Sequence, residues 1–92
     1  MKVIVNIIGV EVRLKQEILL DPDPLSPALG DIVRALRGRI GDQLARFVDA
    51  DCSLVDCSVL LVNGRNFLSL QGWATEINDG DEITFMVPVA GG

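Results

Sequence analysis

The hydrophobic pattern near the N-terminus predicts a β-hairpin. Residues 3–8 are β-branched and apolar with one exception, which indicates a largely buried strand. Gly9 interrupts this run, and residues 10–15 then alternate apolar and polar side chains, as a half-buried strand does. The hairpin is expected to end near Leu20, because the Asp-Pro-Asp-Pro segment that follows cannot continue a β-ladder.

The middle of the chain predicts one main helix. Ser26 is the expected N-cap and Pro27 the first helical residue, where the missing N–H of proline costs nothing. Gly38 and Gly41 each disfavour helix, so we expect a break there, with Gly38 as the C-cap and residues 42–48 as a second short helical piece. One apolar stripe with helical spacing is formed by Leu29, Ile32, Val33 and Leu36.

A second hairpin is predicted after the helix. Residues 59–62 are a continuous apolar run of strand length. Asn63 and Gly64 follow directly, and this dipeptide favours a two-residue turn because both residues tolerate positive φ. We expect Phe67 and Leu68 to lie on the returning strand.

The last strand is predicted over residues 82–87, after a tight turn at residues 78–81. Alternation places Ile83, Phe85 and Val87 on one face of this strand. The element order is therefore β-β-α-β-β-β, with the short helical piece after the main helix. This order predicts an α+β fold in which one sheet packs on one main helix.

Composition limits the classes of function. The chain has 92 residues, 49% hydrophobic and 23% charged, so we expect one domain over residues 1–92. It has no His, which excludes His-dependent nucleophilic catalysis and imidazole metal ligands, and two Cys cannot complete a four-thiolate zinc site. We therefore expect no bound metal or cofactor. The net charge of −5 opposes binding to nucleic acid. Without a recognisable signal peptide or membrane span, a cytoplasmic location is expected.

Cys52 and Cys57 are expected to be free thiols that serve packing. Asp51 and Asp56 directly precede them, and neighbouring negative charge disfavours a thiolate. A redox pair, or half of a shared metal site, is the alternative.

The C-terminal segment is the candidate for chemistry. Pro88 ends β-ladder pairing directly after the last strand, and Gly91 and Gly92 leave the tip without any Cβ atom. We expect residues 88–92, called the tail from here on, to be flexible and narrow enough to enter a channel that a bulkier terminus would block. The alternative is a frayed, solubilising end.

These motifs resemble a known family. Residues 77–92, with their Asp79-Gly80-Asp81-Glu82 turn, final strand, proline and terminal Gly-Gly, are similar to the C-terminal signature of the MoaD/ThiS family of ubiquitin-like sulfur carriers. Residues 61–64 resemble the Val-Asn-Gly turn of the same family. The resemblance implies a β-grasp fold, a mixed sheet of about five strands on one helix. Family members that are close to the molybdopterin-synthase small subunit often have two prolines before the tail, where this chain has Val87 and Pro88. The chain is, however, longer than the short thiamine-type carriers, and this length favours the molybdopterin pathway.

The resemblance also implies a reaction at Gly92. In this family an E1-like enzyme uses ATP to adenylate the terminal carboxylate, and a sulfur donor converts the acyl-adenylate into a thiocarboxylate. The implied partners are that enzyme, the donor and a sulfur acceptor, with the molybdopterin-synthase large subunit favoured over thiamine, cysteine or tRNA thiolation. Partner contacts are expected along the tail, at Pro88, Val89, Ala90 and Gly91.

The exposed side of the C-terminal strands is the predicted docking surface. Large interfaces use apolar and aromatic anchors with a polar rim, which suggests Phe67 and Met86 as anchors. Asp79, Asp81 and Glu82 would form the rim. The alternative is that Phe67 belongs to the core.

Two other functions use the same sequence features. A ubiquitin-like modifier would be joined through Gly92 to lysines of target proteins, so its product is an isopeptide rather than a free thiocarboxylate. An interaction domain in which the terminal Gly-Gly is incidental would keep its function when the tail is removed.

Overall fold

The computed structural model describes residues 1–9, 13–21, 27–49, 53–55 and 58–87. Within these ranges, five strands, one α-helix and two 3-10 helices follow one another. The strands are β1 (Lys2–Ile8), β2 (Arg13–Leu19), β3 (Val59–Val62), β4 (Arg65–Asn66) and β5 (Glu82–Met86). The helices are α1 (Leu29–Leu44) and the 3-10 helices Phe67–Ser69 and Gly72–Ala74.

The strands form one mixed sheet in the order β2-β1-β5-β3-β4. β1 and β5 are parallel, whereas β1–β2, β3–β4 and β3–β5 are antiparallel. Both predicted hairpins are confirmed, and so is the prediction of a mixed five-stranded sheet with one main helix. The first and last strands lie side by side in the middle of the sheet, so the C-terminal strand has a neighbour on each side.

Helix α1 buries its apolar stripe against the sheet. All four predicted stripe residues are 0% exposed. They share one core cluster with the odd-numbered residues of β1, Val3, Val5 and Ile7, whose exposure is at most 2%. Full burial of such a side chain is worth about 1.5–3 kcal/mol. The helical period therefore identified the residues that attach the helix to the sheet.

The helix begins later than predicted. Ala28 is the N-cap, with extended backbone angles (φ −87°, ψ 166°), and its N–H donates to Asp31 Oδ2 at 3.0 Å. Pro27 lies before the cap, and its carbonyl accepts from the Ile77 N–H at 3.0 Å. This pairing with a distant segment holds residues 27–28 extended, so the prediction that Ser26 caps the helix is wrong. Ser26 itself lies outside the described residues.

Gly38 and Gly41 flank a kink in α1 rather than its end. The helix continues through Gly38 and Gly41 to Leu44, and the predicted break is limited to Ile40, whose φ −134° and ψ 37° are not helical. Gly38 is therefore not the C-cap; Ala45 is. Packing explains the continuation, because Leu44 is fully buried and Ile40 packs against the core. Of the predicted second helical piece, residues 42–44 are the end of α1 and residues 45–47 form a turn, whereas Val48 pairs with Leu54 in an isolated β-bridge.

The Asn63-Gly64 turn forms as predicted. Asn63 has φ 52° and Gly64 has φ 83°, the positive values that a two-residue hairpin turn requires. The returning strand β4 is shorter than expected and contains only Arg65 and Asn66. Asn66 Oδ1 accepts from the Leu68 N–H at 2.9 Å and caps the first 3-10 helix. The prediction that Phe67 and Leu68 continue the strand is therefore wrong.

We predict opposite effects of alanine at two exposed glycines. A Cβ atom at Gly38 or at Gly64 would meet no atom within 4 Å. Gly38 is helical, so Gly38→Ala should raise the free energy of unfolding by about 0.5–1 kcal/mol. Gly64 has a positive φ, so Gly64→Ala should lower it by about 1–2 kcal/mol. Urea denaturation of both variants checks this, and a loss of stability in Gly38→Ala would contradict the helical assignment.

Candidate functional site

The end of β5 fixes the point from which the tail departs. The Val87 N–H donates to the Ile8 carbonyl at 3.0 Å, which extends the parallel β1–β5 pairing beyond Met86. Val87 also packs against the core cluster. The tail therefore starts from an anchored residue of a central strand. The residues of the tail itself, Pro88, Val89, Ala90, Gly91 and Gly92, lie outside the described residues, and their predicted roles stay predictions.

The sheet face opposite α1 carries a row of apolar side chains beside this point. We call this the outer face. Ile8 lies directly across from Met86, and Met86 lies directly across from Val59, so the row crosses three neighbouring strands. These three side chains are half-buried, whereas the helix-facing side chains of the same strands are buried. Met86 is thus on the accessible side of β5 as predicted, next to the departure point of the tail.

Phe67 does not lie on the outer face. Its side chain is 4% exposed, and its ring centroid lies 4.9 Å from that of Trp73. The 3-10 helix capped by Asn66 turns Phe67 into the core and leaves its neighbour Leu68 73% exposed. The prediction of Phe67 as a surface anchor is therefore wrong, and the alternative that it belongs to the core is confirmed.

The acidic turn before β5 is tied to the Asn63 turn. Asn63 Nδ2 donates to Asp81 Oδ1 at 3.1 Å, and Asn63 Oδ1 accepts from the Glu82 N–H at 2.9 Å. Asp81 Oδ2 also accepts from the Asn78 N–H at 2.8 Å, and Asp79 Oδ1 accepts from the Lys2 N–H at 2.6 Å. These contacts lie at the start of β5, whereas the tail follows the other end of this strand. The predicted rim of Asp79, Asp81 and Glu82 therefore does not flank Met86.

This connection between the two motifs was not predicted. Both turns were recognised separately, one from Asn63-Gly64 and one from the acidic residues before β5. Their pairing follows from the antiparallel register of β3 and β5, in which Val62 lies across from Ile83. That register places Asn63 beside Asp81 and Glu82. In the sequence, the only sign of this contact is that both motifs occur in the same chain.

The two cysteines were the other candidate groups. Cys52 and Cys57 lie outside the described residues, together with the Asp residues that precede them. Within the described ranges, no three Cys, Asp or Glu side chains are grouped so that they could hold a metal ion. In the same ranges, no helix combines the length and the apolar character needed to cross a lipid bilayer.

Comparison with known proteins identifies relatives over most of the chain. The model of the ThiS family matches residues 16–92. A protein of Archaeoglobus fulgidus, named as a sulfur carrier, is 30% identical over 87 residues, 91% of this chain and 99% of the relative. Small archaeal modifier protein 3 of Haloferax volcanii is 34% identical over 64 residues, 70% of this chain and 68% of the relative.

A solved structure confirms the fold. The crystal structure of SAMP1 from Haloferax volcanii superposes with a TM-score of 0.71 over the full length of both chains, at 22% identity. The predicted ubiquitin-like β-grasp fold is thereby confirmed.

We predict different consequences of truncating two neighbouring side chains. Phe67→Ala removes a buried ring and should lower the free energy of unfolding by about 3–5 kcal/mol. Leu68→Ala removes an exposed side chain and should change it by less than about 0.5 kcal/mol. Chemical denaturation of both variants measures the difference. Equal, small effects would place Phe67 back on the surface.

Proposed function

The chain belongs to the ThiS family, and we propose that it is a sulfur carrier whose Gly92 carboxyl group is the site of the chemistry. The family match extends to Gly92, and the A. fulgidus relative aligns over almost its whole length. The carrier itself contributes a folded domain, which partner enzymes recognise, and the tail on which they act. The catalytic groups belong to the enzymes that act on the tail.

The proposed reaction has two steps. In an E1-like enzyme, the Gly92 carboxylate attacks the α-phosphorus of ATP. This attack forms an acyl-adenylate and releases pyrophosphate. A sulfide equivalent from the sulfur donor then attacks the acyl carbon. The bond between that carbon and the AMP oxygen breaks, and AMP leaves. The product is a thiocarboxylate, a soft nucleophile that can be transferred to a bound acceptor. Adenylation is needed because a free carboxylate is a poor electrophile.

The proposed docking surface for the activating enzyme is the outer face. Its apolar row of Ile8, Met86 and Val59 lies next to Val87, where the tail begins. An enzyme that contacts the row is therefore positioned to receive the tail. Half-buried apolar side chains of this kind can be desolvated by a partner without unfolding the core, which is the usual character of interface anchors.

The proposed acceptor is the large subunit of a molybdopterin synthase, in the assembly of a molybdenum or tungsten cofactor. Thiamine, cysteine and tRNA thiolation use the same carrier chemistry with different acceptors. Transfer of labelled sulfur from the thiocarboxylate to each class of acceptor distinguishes these pathways.

A ubiquitin-like modifier is the second candidate function. The relationship to small archaeal modifier protein 3 of H. volcanii favours it. Both functions begin with the same adenylation at Gly92. They differ in the product, since a modifier forms an amide with the amino group of a target lysine and a carrier forms the free thiocarboxylate.

We predict that the tip of the tail tolerates no side chain. Deleting Gly91 and Gly92 moves the carboxylate back by about 7 Å along an extended chain, which exceeds the roughly 3–3.5 Å that reacting atoms require. Gly91→Val keeps the length but adds a branched side chain. In both variants, ATP-dependent AMP formation with the cognate activating enzyme should fall by orders of magnitude while the melting temperature stays unchanged.

The matched control for the tail is Gly38→Val, the same change on the exposed side of α1, which should retain wild-type AMP formation. Wild-type activity in Gly91→Val would contradict a narrow channel. Wild-type activity in the deletion variant would contradict the carrier function itself.

We predict that Met86 contributes directly to binding of the activating enzyme. Met86→Gln keeps the length of the side chain but makes it polar, and it should raise the Kd about tenfold or more, as loss of an interface anchor does. The control Leu14→Gln makes the same type of change on the helix side of the sheet and should leave the Kd unaltered. Titration by calorimetry measures both, and equal Kd values for the two variants would exclude the outer face.

A further inference from the structure

Strand β2 forms a long edge of the sheet. It pairs with β1 on one side, and on its other side it pairs with no strand in the part of the chain that the structure describes. β2 has seven residues and no proline, whereas the opposite edge strand, β4, has two residues. An edge of this length presents a row of backbone donors and acceptors on which another strand can pair.

The hydrogen bonds of the hairpin show which residues face this edge. Met1 and Leu20 exchange two backbone bonds, at 2.9 and 2.8 Å. Since hydrogen-bonded and non-bonded pairs alternate in an antiparallel ladder, the odd-numbered residues of β2 direct their N–H and C=O groups away from β1. These residues are Arg13, Lys15, Glu17 and Leu19. The Leu19 carbonyl accepts from Arg39 Nη1 at 3.0 Å, which confirms its outward direction.

We propose that β2 pairs antiparallel with β2 of a second copy of this chain, about a two-fold axis at Gln16. In this register Lys15 lies directly across from Glu17 of the second copy, and Glu17 lies across from its Lys15. Both residues direct their backbone groups to the new ladder. Their side chains lie on the outer face, where directly opposed residues of opposite charge stabilise a pair of strands.

The charge pattern selects this register over its neighbours. A two-fold axis at Lys15 would pair Arg13 with Glu17 of the second copy twice, but it would place Lys15 across from itself. An axis at Glu17 would place Glu17 across from itself. An axis at Leu14 would oppose Arg13 and Lys15, and one at Ile18 would oppose Glu17 and Leu19. Like charges directly opposed destabilise a strand pair. Of these five registers, only the one at Gln16 pairs opposite charges of β2 twice without placing like charges across from each other.

An apolar contact supports the same register. Leu14 is 40% exposed on the helix side of β2. With the axis at Gln16, Leu14 lies across from Ile18 of the second copy and is covered by it. The existing contact between Lys15 Nζ and Glu82 Oε2, at 3.6 Å, joins side chains that are 68% and 36% exposed. A solvent-exposed contact of this kind is weak and can exchange for the new one.

Arg39 limits the size of the proposed interface. Because its guanidinium occupies the Leu19 carbonyl, the ladder is confined to the middle of β2, around Lys15 and Glu17. A short ladder predicts a weak dimer that forms in a concentration-dependent way. The row of Ile8, Met86 and Val59 stays accessible in the dimer, because its residues lie on β1, β5 and β3 and none of them lies on the edge strand β2.

Charge exchange between two variants tests the proposal. Sedimentation equilibrium at low ionic strength, from about 10 µM to about 1 mM, should show the mass of the wild-type chain rising above the monomer value of 9.9 kDa. Lys15→Glu opposes two carboxylates at each pair and Glu17→Lys opposes two ammonium groups. Each variant alone should dimerise about tenfold more weakly or worse, because two attractive pairs become repulsive.

The complementary arrangements provide the controls. An equimolar mixture of Lys15→Glu with Glu17→Lys restores both attractive pairs, and so does the double variant K15E/E17K. Both should dimerise within about threefold of the wild-type Kd. A wild-type chain that stays monomeric throughout would overturn the proposal and would make the edge charges a protection against pairing. A dimer that ignores all these changes would overturn it as well, since another surface would then be responsible.

Discussion

The parallel pairing of β1 with β5 is the interaction on which the rest of the structure depends. It runs from Ile4 opposite Glu82 to Ile8 opposite Met86. Backbone bonds extend it at both ends, from the Gly80 N–H to the Lys2 carbonyl at 2.7 Å and from the Val87 N–H to the Ile8 carbonyl at 3.0 Å. Parallel neighbours cannot be joined by a tight turn. The hairpin, the helix and strands β3 and β4 are therefore the connection, and the C-terminus departs from the middle of the sheet.

The turn residues that mark the family serve this architecture rather than the chemistry. The Asn63 side chain joins the turn after β3 to the turn before β5, because it donates to Asp81 Oδ1 at 3.1 Å and accepts from the Glu82 N–H at 2.9 Å. Hydrogen bonds of this kind contribute about 0.5–1.5 kcal/mol each. They lie at the end of the sheet away from Val87. The two turns of the signature thus mark a connection between β3 and the start of β5. The proposed reaction takes place beyond the other end of β5.

Local patterns predicted what local interactions determine. The stripe at Leu29 and Leu36 and the positive φ values at Asn63 and Gly64 follow from spacing and residue type alone. Distant contacts decided the rest. The helix starts at Leu29 because Pro27 pairs with Ile77, far along the chain.

The candidate site was predictable to the same extent. Alternation along β5 was enough to place Met86 on the accessible face, whereas the assignment of Gly92 came from the family resemblance and not from any pattern of side chains. Phe67 was misplaced because a single cap by Asn66 ends β4 and turns the ring inward. The most direct test of the account is to locate the sulfur by tandem mass spectrometry, after incubating the full chain with its activating enzyme, ATP and a sulfur source. The account predicts one oxygen replaced by sulfur in the C-terminal peptide, at the Gly92 carboxyl. Sulfur found on Cys52 or Cys57 with an unmodified Gly92 would contradict it.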